Sequence, residues 1–178
     1  MYHPSMRLFI AILFPEDTVD RIASIRDSIH DLSSSGSFSP RENLHLTLEF
    51  LGECSAAERD MAAEAMEASV CRPFTMTMDR TGSFPRPDGD IWWLGCREEK
   101  ALMTLQGKLH RELSKRGLKL EKRRYRPHVT LGRRVFSSAV AGGIEPIVSA
   151  VSSFSLILSE RGERGMVYTP LHTVVLPS

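Results

Sequence analysis

The sequence predicts an α+β fold with two lobes sharing one cleft. A strand–helix–strand order appears twice, as strand 7–14, helix, strand 44–51 and again as strand 91–96, helix, strand 127–135. The apolar pattern switches repeatedly between a period of two and a helical period. Residues 1–178 show no linker or low-complexity tract, and their number suits a single two-lobed domain with one core, since domains cluster at roughly 100–150 residues.

Residues 7–14 follow MYHPSM and read as a buried strand. The apolar part, Leu8 to Phe14, is too short for a secretory signal and runs into Pro15-Glu16-Asp17 without a small-x-small site. Residues 1–5 read as a loose extension. Val19, Ile22, Ile25, Ile29 and Leu32 recur at helical spacing, with Glu16 and Asp17 at the end where the helix dipole favours acids. The serine-rich segment 33–37 is expected to end that helix. Residues 44–51 alternate, placing Leu44, Leu46, Leu48 and Phe50 on one face and His45, Thr47 and Glu49 on the other.

Ser55 with Glu58 is a capping box for a second helix reaching about Val70. Met61 and Met66 within it read as packing residues. PFTMTMDRTGSFPR and DIWWLGC are the next two strands, joined through the Pro/Gly-rich residues 85–89. Trp92 and Trp93 must point to opposite faces, one to the core and one free to line a cleft. Leu102, Leu105, Leu109 and Leu113 form the stripe of a third helix, stopped by Gly117. Residues 137–150 suit a short helix broken at Pro146. FSLILSE and MVYTPLHTVVL, separated by RGERG, form a closing hairpin.

Composition excludes several classes of function. The 23 Lys and Arg balance 22 Asp and Glu for a net charge of +1, so any affinity for a polyanion must be local. Cys54, Cys71 and Cys96 form neither a disulfide framework nor a CxxC motif and suit a reducing, cytoplasmic setting. No apolar run approaches the ~20 residues that span a bilayer. Near-neutral charge and the lack of sustained heptads make a monomer the expected state.

The informative pattern is a repeat. NLHLTLEFLG at 43–52 returns as RPHVTLGRR at 126–134. With six histidines in the chain, chance predicts roughly 0.3 His-x-Thr occurrences, and two followed by leucine is far from that expectation. On a strand, residues i and i+2 share a face about 7 Å apart, so each motif sets an imidazole beside a hydroxyl. Two such pairs supply one group to take a proton, one to give it, and two donors for an anion's oxygens. Phosphodiester cleavage without a metal needs that set. A zinc site is the rival use of paired histidines, but it takes three protein ligands, and no Asp, Glu or Cys recurs beside both motifs. No metal and no cofactor are therefore expected.

HLTLEFLG with PHVTLGR resembles the two-histidine (2H) phosphoesterase superfamily. RLFIAILFP together with NLHLTLEFLGE is similar to the RNA 2′,3′-cyclic phosphodiesterases, also described as LigT-like 2′-5′ RNA ligases. The resemblance spans about Arg7 to Arg134. It implies a bilobal, pseudo-twofold fold whose concave antiparallel sheets face across a cleft with helices outside. It implies catalytic roles for His45 and His128 and phosphate binding by Thr47 and Thr130. The implied reaction opens a 2′,3′-cyclic phosphate to a 2′-phosphate, with His45 as the acid protonating the 3′ oxygen and His128 as the base activating water. RNA ends or nucleotides carrying that group would be the substrates. Joining RNA 2′-5′ by the same pair, and a non-catalytic RNA-end or nucleotide-binding module, are the alternatives.

The resemblance also points five residues beyond each histidine, to Phe50 for base or ribose and Arg133 for phosphate. Strict alternation puts both on the wrong face, so a bulge or strand end is required. Arg134 is the substitute that parity favours, and core packing is the other reading of Phe50. KLEKRRYRPH, with Lys119, Lys122, Arg123, Arg124 and Arg126, reads as a solvated edge strand or an RNA-backbone contact, and Tyr125 within it as a candidate pocket residue. Phe38 and Arg41 in FSPRE weakly match an aromatic or basic position before the first motif. His3, His30, His110 and His172 lack the motif context and are expected to be structural or surface residues.

Overall fold

The computed structural model describes residues 4–178. Among them the order is β1 (Met6–Ile12), α1 (Glu16–Asp31), β2 (Ser33–Phe38), a 3₁₀ turn (Arg41–Asn43), β3 (Leu46–Cys54), α2 (Ala56–Glu67), β4 (Phe74–Phe84), β5 (Asp90–Cys96), α3 (Lys100–Lys115), β6 (His128–Ser137), β7 (Gly143–Val151), β8 (Ser153–Gly162) and β9 (Gly165–Val175). Pro4 and Ser5 of the expected loose extension are exposed and irregular, with the Ser5 hydroxyl donating to Glu53 at 2.7 Å; residues 1–3 lie outside the described residues.

The strands form two antiparallel sheets, β3-β1-β8-β9 and β2-β6-β5-β4-β7. The α+β class and the two expected halves are present. In each half the histidine strand pairs with the strand before its helix, β3 with β1 and β6 with β5. The helices cross over. α1, which leaves the four-stranded sheet, packs on β2, β6 and β7 of the other, while α3, which leaves the five-stranded sheet, packs on α2 and on β3 as well as β4.

That crossover merges both apolar sheet faces into one core. Leu8, Ile10, Ile12, Leu46 and Leu48 join Met76, Met78, Leu94, Val129 and Leu131, and the α3 leucines at 102, 105, 109 and 113 complete it. Each such side chain contributes ~1.5–3 kcal/mol by leaving water. The capping box at α2 is complete: the Ser55 hydroxyl accepts from the Glu58 amide at 3.1 Å, and the Ser55 amide donates to the Glu58 carboxylate at 3.0 Å. Gly117 follows α3 with a φ of +89°, the left-handed conformation that ends a helix.

Three expectations fail, two of them at sheet edges. Residues 33–37 do not simply end α1; they form β2 at one edge of the five-stranded sheet. Residues 137–150 hold no helix. β7 occupies the opposite edge, burying Ile147, Ser149 and Val151 at a period of two, and tolerates Pro146 because an edge strand leaves half its amides unpaired. The KLEKRRYRPH run also departs from expectation: residues 119–127 are an irregular loop leading into β6, not an edge strand.

Candidate active site

Each histidine sits where its strand begins. The His45 Nδ1–H donates to the carbonyl of Asn43 at 2.7 Å, and the His128 Nδ1–H donates to the carbonyl of Arg126 at 2.7 Å. The carbonyl two residues upstream thus fixes the same tautomer in both rings and leaves Nε2 unprotonated when the ring is neutral. Nε2 of His45 lies 3.0 Å from the Thr47 hydroxyl, whereas among the described residues Nε2 of His128 has no hydrogen-bond partner.

Aromatic rings from other strands of the same sheet pack on each imidazole. Phe9 and Tyr168 pack on His45 with centroids 4.8 and 5.4 Å away; Phe84 and Trp93 stand edge-on to His128 at 5.8 and 6.4 Å. Of the tryptophan pair, Trp92 is in the core and Trp93, half-buried, lines a smaller hollow beside His128.

The bulge that Phe50 and Arg133 require is present in both strands. β1 skips Leu48 in its pairing with β3, Ile10 facing Glu49 and Ala11 facing Thr47. β5 skips Leu131 in its pairing with β6, Trp93 facing Thr130 and Trp92 facing Gly132. The leucine of each HxTL motif is therefore the extra residue. Two successive side chains turn inward there, and the residue five after each histidine returns to the cleft face. Phe50, 40 % exposed, and Arg133 both line the cleft. Arg134, the parity-based substitute, does not: it is exposed, has φ +54° and lies 3.9 Å from Asp88.

The cleft has a wide arm of 1140 Å³ reaching His45, Thr130 and Arg133, and a narrower one of 550 Å³ reaching His128, Tyr125 and Arg126; Thr47 and Phe50 border both. Burial holds the His45 pKa below its ordinary value, against the help of the Asn43 carbonyl, and the positive charges of Arg133 and His128 push it the same way. The two motifs meet across the cleft, since β3 packs on β6 and the loop before His128 reaches the Thr47 carbonyl through Tyr125.

Tyr125 does not offer its hydroxyl to the cleft. The phenol donates to the Thr47 carbonyl at 2.7 Å, and burial raises its pKa well above the ordinary range. Arg124 is held by Glu98 at 2.9 and 3.1 Å and Arg123 by Glu121, while Arg126 has no ion pair among the described residues. Phe38 lines the wide arm, but Arg41 is turned away onto Glu16 and Asp20. Among the other histidines, His110 binds the buried Glu49, which Gln106 also reaches at 2.9 Å, and His172 binds Glu67; His30 is at the surface and His3 lies outside the described residues.

Sequence reasoning missed Phe9, Tyr168 and the β8–β9 turn, whose Arg161 and Arg164 line the wide arm while the Asn43 amide donates to the Met166 carbonyl at 2.9 Å. The charged turn RGERG was their only local signal. Among the described residues, no three His, Cys, Asp or Glu side chains converge as metal ligands, and no helix is long and apolar enough to cross a membrane.

Paired sheets, each contributing an HxT strand to one cleft, define the two-histidine phosphoesterase class of fold. Residues 14–162 match the 2′-5′ RNA ligase superfamily, and the chain belongs to that family. It is 34% identical to the RNA 2′,3′-cyclic phosphodiesterase of Escherichia coli K12, with 93% of each chain covered. It is 31% identical to that of Thermotoga maritima, with 94% of each covered. Among solved structures, E. coli LigT complexed with 3′-AMP superposes with a TM-score of 0.83 at 29% identity, covering 98% of this chain and 99% of that one.

Proposed function

We propose that this chain hydrolyses the 2′,3′-cyclic phosphate of RNA ends or nucleotides to a 2′-phosphate, as one two-lobed domain acting as a monomer and using no metal. The observation that carries the reading is the matched tautomer: each Nδ1–H is tied to a carbonyl two residues back, and each Nε2 is left beside the shared cleft. In the reaction His128 Nε2 takes a proton from water as its oxygen attacks phosphorus. The P–O3′ bond breaks, and His45 Nε2–H gives its proton to the departing O3′. Thr47, Thr130 and Arg133 donate to the non-bridging oxygens. Phe50 borders both arms and suits the ribose or base, and Tyr125 acts through Thr47 as a positioning residue.

The relatives' printed activity supports this substrate. The free thiols of Cys54, Cys71 and Cys96 support a cytoplasmic setting. Run with an RNA 5′-hydroxyl in place of water, the same pair would join ends 2′-5′, the chemistry in the superfamily's name; abundant water favours hydrolysis. Phosphorus NMR of the product from a short RNA ending in 2′,3′-cyclic phosphate tests the proposal. A 2′-phosphate is expected, and a 3′-phosphate would reverse which oxygen His45 serves.

A further inference from the structure

Beside His128 lies a separate hollow of 270 Å³ lined by Trp93 and Phe84, with Arg80, Arg126, Glu98 and Arg124 around them. At that size, just under the ~300 Å³ at which clefts for larger ligands begin, it suits a single flat group and not a length of strand. Trp93 is half-buried, and its indole lies down on the sheet because two neighbours have no side chain. A Cβ on Gly82, its cross-strand partner, would come within 2.2 Å of the ring, and one on Gly95 within 2.9 Å. The indole thus rests on glycine backbone, and Phe84, tilted by 39° with its centroid 5.5 Å away, shares the aromatic wall of the hollow.

The indole also leaves its buried Nε1–H without a partner, a cost that a phenylalanine at this position would not carry. What an indole adds is a larger π-face. Arg126, without an ion pair among the described residues, and the Glu98–Arg124 pair border the same hollow, giving a cation for an anionic group and a polar edge for heterocyclic N–H and C=O groups. An aromatic wall whose indole centroid lies 6.4 Å from that of His128, a polar edge and a guanidinium without an ion pair among the described residues match a nucleotide.

We infer that Trp93 is the stacking platform of a nucleobase subsite, which holds the base of a nucleoside attached to the reacting phosphate. This rests on the proposed reading of the cleft as a phosphodiesterase site. Two nucleosides could supply the base: the one carrying the 2′,3′-cyclic phosphate, or the one joined through a 2′-5′ link on the far side of phosphorus.

The test compares kcat/KM for adenosine 2′,3′-cyclic phosphate and for base-free ribose 2′,3′-cyclic phosphate, and for a 2′-5′ dinucleotide against its analogue with an abasic second residue. These are measured in the wild type, Trp93→Leu and Trp93→Phe. If the base stacks here, Trp93→Leu reduces one of the two base-dependent preferences by about five- to a hundred-fold, the span of single base–aromatic stacks, and Trp93→Phe restores part of it. Which preference falls identifies the source. If both preferences persist in Trp93→Leu, the inference is wrong. Quenching of indole fluorescence by adenosine 2′-monophosphate reads occupancy without turnover, so a failure of the hydrolysis reading is distinguishable from a failure of the subsite: quenching with Trp93 that is absent in Trp93→Phe supports the platform, and its absence in the wild type overturns it.

Discussion

The Tyr125 hydroxyl donates a 2.7 Å hydrogen bond to the Thr47 carbonyl, tying the loop that delivers His128 to the strand that carries His45. Both residues are half-buried, and the bond ties the two sheets together beside the cleft. Tyr125→Phe keeps the ring and removes the donor. The expected cost is about 1 kcal/mol in urea denaturation, since a half-buried carbonyl loses its partner. Activity should fall mainly in kcat, with KM moving little, because the phosphate ligands remain while their alignment loosens. A variant with wild-type kcat would mean that the clamp serves stability alone.

The bulges at Leu48 and Leu131 assign opposite fates to adjacent arginines. Arg133→Ala should lower kcat/KM by about ten- to a thousand-fold, as expected for loss of one preorganised donor to developing charge. Arg134→Ala should stay within about two-fold. Arg134→Gly should stabilise the fold by about 0.5–1 kcal/mol, because Arg134 has φ +54°, a conformation glycine adopts without strain. Thermal denaturation reads the second effect. An unchanged or lowered midpoint would contradict it.

Burial, with the charges of Arg133 and His128 adding to it, keeps His45 neutral to lower pH than an ordinary imidazole. Two consequences follow from the sign. The unfolded chain takes up this proton first as pH falls, so His45 contributes stability that is full above about pH 6.5 and is lost as pH drops through its folded pKa. Proton-observed NMR should place its titration below that of a free histidine, and Arg133→Ala should move it up. In catalysis, the limb of kcat/KM that His45 governs should lie below about pH 6.5, and the corresponding limb of kcat higher, because bound phosphate favours the imidazolium. A His45 titration at or above the free value would remove this account.

Much of this was legible in the chain, and the exceptions share a cause. Interior strands such as β1 and β6 carry continuous or alternating apolar residues because strands flank both their edges and the core covers a face. The strands misread, β2 and β7, are the two edges of the five-stranded sheet. Ser33–Phe38 is mostly exposed and Gly143–Val151 contains Pro146, so neither shows the signal that burial writes into a sequence. The site divides in the same way. His45, Thr47, His128 and Thr130 were readable because their spacing is local to one strand. The bulges were only a requirement, since a leucine looks the same whether or not its partner strand skips it. Phe9 and Tyr168 reach His45 through strand pairings that no local pattern reports.

The central claim is that two histidines, with no metal, divide the proton transfers of cyclic phosphate hydrolysis. The most direct measurement is turnover of a short RNA ending in 2′,3′-cyclic phosphate, in EDTA, across about pH 5 to 9, for the wild type, His45→Ala and His128→Ala. The account predicts a bell-shaped profile in the wild type. It also predicts a loss of about a hundred- to ten-thousand-fold in each variant, with the acid or alkaline limb governed by the missing ring abolished. Activity that appears only when a divalent ion is added, or that survives either substitution, would contradict it.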